Sequence, residues 1–290
     1  MVKIFDYKCT FENDLKVSDK EISDNNIIFP DTYTKVENIV KYAKLRKKVA
    51  GVSFVELPFC HTVLAEAYGG IINYGNALIG PRTKEFAYKD INKILDIKRI
   101  SFDAGRISEY LKSARLLSED GEDVVYEVEG PLTILNNLVD TNELFKTLKR
   151  DKELIKKVFK KIEIDIYYYI NEILKRGVRY ISFADPSAAV SIVGPKIVEE
   201  YIDTFANNFI INVLNLFKKY DAMMLLCPKL TIALYSLKRI KFNNTKLSGE
   251  INYFEALKEN IGKVHLTGQM CIKNRTYILR PAILKELVFT

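Results

Sequence analysis

A parallel α/β architecture, closed as a (β/α)8 TIM-type barrel, is the fold class the sequence predicts, and three observations carry it. Five short apolar β-runs alternate with helical patterns of ten or more residues, and strands joined by such long crossovers pair in parallel. The runs stop at Pro58, Gly130-Pro131, Pro186, Pro228 and Gly268, where a missing amide donor or a turn residue ends the ladder. Neither G-x-G-x-x-G nor G-x-x-x-x-G-K-[ST] is present, which disfavours an open dinucleotide or mononucleotide fold and favours the barrel.

Each element follows in order. Residues 1–34 mix charge with Asn and Asp and read as an irregular N-terminal arm that ends near Phe29-Pro30-Asp31-Thr32. A helix is expected from Val36 to Lys48, a strand over residues 51–58, and a helix from His61 to Tyr68 that breaks at Gly69-Gly70. The next strand is Val124 to Glu129, followed by a short helix from Leu132 to Leu138 and a long helical region from Thr141 to Lys175, ended by Gly177. Strands over residues 178–183, 222–226 and 263–267 alternate with helices at 196–219 and 252–260. With no Gly-, Ser- or Pro-rich linker and no fixed-period repeat, the parse is the arm, 1–34, and one barrel domain, 35–290.

Composition bounds the function. The 290 residues are 48% hydrophobic and 28% charged, with Gly 13 and Pro 8, a globular balance that excludes collagen-like, low-complexity and disordered chains. The net charge of +7 is dispersed, and the basic runs at Lys44–Lys48 and Lys157–Lys161 sit in helical patterns as solvated faces. No nucleic acid partner is expected. No stretch reaches the length of an uncharged apolar membrane span and no signal peptide opens the chain, so a cytoplasmic protein without membrane contact is expected. Cys9, Cys60, Cys227 and Cys271 are far apart and form no C-x-x-C, which argues against a disulfide framework and a zinc ribbon.

In parallel α/β folds the functional groups lie beyond the carboxyl ends of the strands. Those positions hold Cys60 and His61, then Glu129, Asp185, Cys227 and Cys271, with His265 inside the last strand. Three converging thiols can supply a zinc site with an open fourth position, although buried cysteine is also a common small core residue. His61 and His265 read equally as a helix cap and a core imidazole. Glu129 and Asp185 are candidates for acid–base work or substrate binding, with a turn-capping role as the alternative for Asp185. Cys9, in the arm, is expected to take no part.

Taken together, these strand-end segments resemble a known family. Leu57-Pro58-Phe59-Cys60-His61-Thr62 with Glu66-Ala67-Tyr68-Gly69, Glu129-Gly130-Pro131-Leu132-Thr133, Phe183-Ala184-Asp185-Pro186-Ser187 with Gly194-Pro195-Lys196, and Leu225-Leu226-Cys227-Pro228 are similar to the uroporphyrinogen decarboxylase superfamily. The resemblance is closer to its corrinoid-dependent branch, the methylcobamide:coenzyme M methyltransferases, and spans about Val36 to Cys271. It implies a (β/α)8 barrel and a zinc bound by an H-x-C pair and a distant cysteine. In that branch zinc activates an acceptor thiol, which attacks a methyl group on a corrinoid cobalt. Cys227 matches the cysteine of the pair, but the histidine position holds Leu225. Cys271 lies only 44 positions beyond Cys227, so against the family pattern a barrel shortened at its C-terminal end is expected. Either Cys60, His61 or Glu250 supplies the missing ligand, or the metal has been lost.

The resemblance therefore implies a methyltransferase acting between a corrinoid, carried on a separate small protein, and a zinc-activated thiol or related small acceptor. Cys227, Cys271 and Cys60 or His61 would be ligands, while Glu129 and Asp185 orient substrate. A noncatalytic corrinoid- or tetrapyrrole-binding protein is the second reading. A decarboxylase of tetrapyrrole carboxylates is the third, and it needs arginines at the barrel mouth, for which Arg82, Arg106 and Arg275 are the candidates.

Overall fold

The computed structural model describes residues 15–290, so Cys9 and the first part of the arm lie outside the described residues. Among the described residues nine strands follow in chain order: β1 (Phe54–Leu57), β2 (Ile71–Asn73), β3 (Arg82–Glu85), β4 (Asp123–Glu129), β5 (Tyr180–Ala184), β6 (Met223–Leu226), β7 (Ile240–Lys246), β8 (Leu266–Thr267) and β9 (Ile283–Phe289). The five runs expected from sequence are β1, β4, β5, β6 and β8, and they pair in that order, all parallel.

The wall of a barrel-type fold is thus present, but its far side differs from the expectation. The hydrogen-bonded order is β1-β4-β5-β6-β8-β9-β7, and among the described residues no ladder joins β7 to β1. After β8 the chain adds no further parallel unit. It returns as β9, antiparallel to both β8 and β7. β2 and β3 form a separate antiparallel hairpin that no sequence signal marks.

Strand alternation divides the wall into two faces. Val55, Leu57, Val124, Tyr126, Val128, Ile181, Phe183, Met224 and Leu226 join the large core beneath the flanking helices. Phe54, Val125, Tyr180, Met223 and Leu225 point the other way, into a second core closed by Tyr253, Phe254 and Leu257 of a short helix and by Met270, Ile272 and Leu279. This inner face is also the face from which Glu56, Glu127 and Glu129 project, by the period of two.

The helices depart from expectation at several places: the helices Gly105–Glu119 and Pro228–Ser236 were not foreseen, and a π-helical turn at Ile202–Ala206 interrupts the expected 196–219 helix. The long region from Thr141 to Lys175 is two helices, Thr141–Arg150 and Lys152–Leu174. Asp151 closes the first and caps the second, its Oδ1 accepting from the Leu154 amide at 3.0 Å. The arm is not irregular throughout: a helix at Asp19–Asp24 begins with a capping box between Ser18 and Glu21. Ile27 of the arm packs with Tyr42 and Leu45 of the helix Val36–Ala50. Among the described residues no helix is long and apolar enough to cross a membrane.

Candidate functional site

Asp185 follows β5 and reaches back to the loop after β4. Its Oδ2 accepts from the Leu132 amide at 2.9 Å, and its Oδ1 accepts from the Thr133 amide at 2.7 Å and the Thr133 hydroxyl at 2.6 Å. The carboxyl thus caps the helix Pro131–Asn136, satisfying donors that a helix start leaves open. Asp185 does not cap the turn that follows it, as the alternative expected: its side chain makes no cap hydrogen bond to Pro186–Ala188 and instead caps the helix after the neighbouring strand. Burial pushes its pKa up to about 6 against the pull of these donors.

Gly130 permits this approach. A Cβ there would lie 2.5 Å from Asp185 Oδ2 and 2.6 Å from its Cβ, so Gly130→Ala must displace the cap. A loss of about 1–3 kcal/mol is expected, read as a lower urea midpoint at unchanged m-value.

Asp185 and Cys227 line one cavity of about 220 Å³ with Tyr201, Ala188, Val198 and Leu230. Cys227 begins the helix Pro228–Ser236 directly after β6. The Tyr201 hydroxyl is buried beside Asp185, and burial followed by that carboxylate holds its pKa well above the ordinary value. Two of the residues expected at the strand ends therefore meet at one cavity.

Glu129 ends β4 and is 1% exposed. Neither carboxyl oxygen has a hydrogen-bond partner. The amides of Glu129 and Val63 are near enough to favour charge, yet desolvation dominates and raises the pKa to about 8. Glu129 is opposite Ala184 in the β4–β5 register. The Cys227 amide donates to the Phe183 carbonyl at 2.9 Å, one residue beyond the Phe183–Leu226 pairing. Glu129, Ala184 and Cys227 thus form one row across three strands, with only a methyl group at its centre.

One level below, Glu127 is the centre of a charge cluster that sequence reasoning missed. Lys273 Nζ lies 3.1 Å from Glu127 Oε2, and His61 Nε2 lies 3.7 Å from Oε1. Burial raises the Glu127 pKa, but Lys273 and His61 outweigh it and hold the carboxylate below its ordinary value. Nearby, Arg275 donates to Glu56 at 2.6 Å, and Arg46 lies 3.5 Å from the same oxygen. The available signal was Glu127 standing two residues before Glu129, hence on the same face.

Cys60 belongs to a different cluster. Its sulfur is 3.3 Å from the Thr62 hydroxyl and 3.4 Å from Arg106 Nη1. The buried Arg106 also donates to Thr62 at 2.7 Å and pairs with Glu66, which accepts from Tyr74 at 2.7 Å. His61 lies before the helix Val63–Ala67, whose cap is Thr62. His265 Nδ1 meets the Ala222 carbonyl at 2.9 Å, as a satisfied imidazole does.

The zinc centre expected from Cys227, Cys271 and Cys60 or His61 is not assembled. Burial pushes the Cys271 thiol up to about 11, with nearby Cys227 adding to the rise. However, Cys60 is held by Arg106 and Thr62, His61 faces Glu127, and Leu225 is packed in the apolar inner core. Glu250 pairs with Arg280 instead. Among the described residues no three His, Cys, Asp or Glu side chains gather so as to hold a metal ion, so the residues present do not fit a three-ligand zinc site. The three arginines are likewise divided: Arg106 serves Glu66, Arg275 serves Glu56, and Arg82 stands exposed on β3.

The fold and site define a parallel α/β protein with buried carboxyls and a thiol-lined cavity at its strand ends, the class to which barrel-type enzymes belong. The chain belongs to the uroporphyrinogen decarboxylase (URO-D) family, whose model matches residues 16–272. The methylcobamide:CoM methyltransferase MtaA of Methanosarcina barkeri is 24% identical over 249 residues, covering 83% of this chain and 71% of the relative. The methylcobamide:CoM methyltransferase MtbA of Methanosarcina mazei is 24% identical over 185 residues, covering 63% of this chain and 54% of the relative. A solved methyltransferase from Methanosarcina mazei shares the fold, with a TM-score of 0.63 at 22% identity over 76% of this chain and 64% of that one. The methyltransferase branch suggested by the motifs is the one these relatives represent.

Proposed function

We propose that this protein transfers a methyl group between a corrinoid, carried by a small partner protein, and a small thiol held at the strand ends of β4, β5 and β6. The observation that carries the reading is the 220 Å³ cavity where Asp185, Tyr201 and Cys227 meet, in a chain whose relatives are named methylcobamide:CoM methyltransferases. The cavity is lined mostly by apolar side chains, with Asp185, Tyr201 and Cys227 among them, as suits a small ligand.

The reaction sets clear demands. The acceptor sulfur supplies the electron pair of the new carbon–sulfur bond, both electrons of the broken cobalt–carbon bond stay with the corrinoid, and the thiol proton needs a base. Asp185 fixes the Gly130–Thr133 loop against β5, Tyr201 and Cys227 contact the acceptor, and the buried surroundings exclude water. Because the candidate zinc ligands are dispersed, no step passes through the metal.

Purified protein incubated with methylcobalamin and 2-mercaptoethanesulfonate is expected to demethylate the corrinoid, followed by its visible spectrum. Cys227→Ala, at one end of the row, is expected to lower the rate tenfold or more while thermal unfolding is unchanged. Corrinoid binding without turnover in the wild type would favour a noncatalytic binding protein instead.

A further inference from the structure

The cavity that Asp185 and Cys227 share also carries a cation with no carboxylate opposite it. Lys229, the second residue of the helix Pro228–Ser236, lines the wall beside Cys227. Among the described residues no carboxylate is within ion-pairing distance of its ammonium. The start of this nine-residue helix adds partial positive charge at the same place, and Cys227, its N-cap, makes no side-chain cap hydrogen bond that would offset it.

The other titratable groups of the lining are poorly suited to take a proton from a thiol. Asp185 has both oxygens committed to the Leu132 and Thr133 donors. Its pKa of about 6 also lies about two units below that of a free thiol. The Tyr201 phenol and the Lys229 ammonium present protons, and Cys227 is itself a thiol. Glu129 is outside the cavity lining and almost fully buried. Since the candidate zinc ligands are also dispersed, positive charge is what the described part of this cavity offers to an acceptor sulfur.

We propose that the acceptor binds already ionised, as a thiolate, with Lys229 as its counter-ion in place of a metal, an assignment that rests on the methyl-transfer reading above. The S–H bond breaks in water before binding, and the proton goes to solvent. The thiolate electron pair forms the bond to the methyl carbon, and the pair of the cobalt–carbon bond remains with the corrinoid. The product thioether is neutral at sulfur, so it loses the attraction of Lys229 and leaves.

The supply of thiolate is sufficient for this route. An alkyl thiol is a few per cent ionised at pH 7, so a site that does not assist ionisation forfeits about ten- to a hundredfold in rate with such an acceptor. An aromatic thiol, largely ionised at that pH, forfeits little. The substrate class is therefore a small thiol that ionises near neutral pH, preferred over simple alkyl thiols.

The test compares wild type with Lys229→Gln, using methylcobalamin and two acceptors whose only charge is on sulfur, 2-mercaptoethanol and thiophenol. With 2-mercaptoethanol the wild-type rate is expected to rise about tenfold per pH unit from pH 6 to pH 8, following the ionisation of the thiol itself. With thiophenol it is expected to be nearly level from pH 7 to pH 8. Lys229→Gln is expected to raise KM about tenfold for both acceptors with kcat little changed, and to unfold at the wild-type temperature because the side chain is exposed. Without corrinoid, 2-mercaptoethanol mixed with the wild type at pH 7 is expected to release a proton for each thiol bound, read with an indicator dye, and the variant to need about tenfold more thiol for the same release. A level profile with 2-mercaptoethanol, binding without proton release, or an unchanged KM in Lys229→Gln would each overturn the proposal, as would loss of the rate on treatment with a zinc chelator. If thiol binds with proton release but methylcobalamin keeps its methyl group with both acceptors, the methyl-transfer reading fails and the thiolate site stands.

Discussion

Glu129→Gln is expected to make the fold more stable than wild type at alkaline pH, by an amount that grows between pH 5 and pH 9. The sign follows from proton counting. The folded carboxyl holds its proton up to about pH 8, against an ordinary value of 4.5, so between these limits the folded state binds more protons than the unfolded state. Stability therefore falls as pH rises through this window. The full difference is up to about 5 kcal/mol for a shift of this size. Glutamine has no charge to lose, so the wild-type minus variant unfolding free energy, measured by urea at pH 5, 7 and 9, isolates Glu129 from every other titrating group. A difference that stays flat across that range would show that Glu129 ionises in the fold as readily as in water.

Asp185→Ala is expected to cost about 3–5 kcal/mol. The change leaves the Leu132 and Thr133 amides and the Thr133 hydroxyl without their acceptor, at about 1–3 kcal/mol for each buried donor before relaxation. It also frees the Gly130–Thr133 loop from β5. Asp185→Asn keeps one oxygen, which serves the Thr133 pair, but turns an amide donor toward the Leu132 N–H, so an intermediate loss is expected. Urea midpoints of the three proteins at pH 7 check the order. A loss below about 1 kcal/mol for the alanine variant would mean that solvent or the chain replaces the cap.

Much of the fold could be read from punctuation. The β-runs before Pro58, Pro131, Pro186 and Pro228 are legible because proline removes a ladder donor and begins a helix at little cost, and all four precede loops on one face. The separate hairpin was hidden because Ile71–Asn73 and Arg82–Glu85 are short and largely exposed. Neither carries the alternation that marks a half-buried strand. The return of the chain through β9 depends on pairing Ile283–Phe289 with Ile240–Lys246, nearly forty residues earlier in sequence, a choice made by tertiary packing. Asp151 was lost among the charges of a helix surface, since the sequence alone does not separate a cap from a solvated residue.

The site was legible by position and not by partnership. Asp185 and Cys227 share a cavity because adjacent parallel strands carry them to one level. Cys60 and His61 follow β1 but are drawn aside by Arg106 and Glu127, contacts set by a loop path that no local pattern encodes. Glu127 went unnoticed in mid-strand because a charge within a β-run reads as solvent-facing, whereas Lys273 and Arg275 bring their charges to that inner face from the far end of the chain.

The linear strand order leaves two margins, β1 and β7, on which a stray strand from another molecule could add, as happens in edge-to-edge aggregation. Each is blunted differently. β1 has only four residues, runs into Pro58, and carries inward Glu56, gripped by Arg275 and Arg46, so an added strand would meet a short template beside an ion pair. β7 is longer, but Lys241, Asn243, Asn244 and Lys246 populate it, and the lysines keep a neighbouring chain hydrated and repelled. An unclosed wall of this kind is protected by the chemistry of its borders, where a sealed barrel would rely on having none.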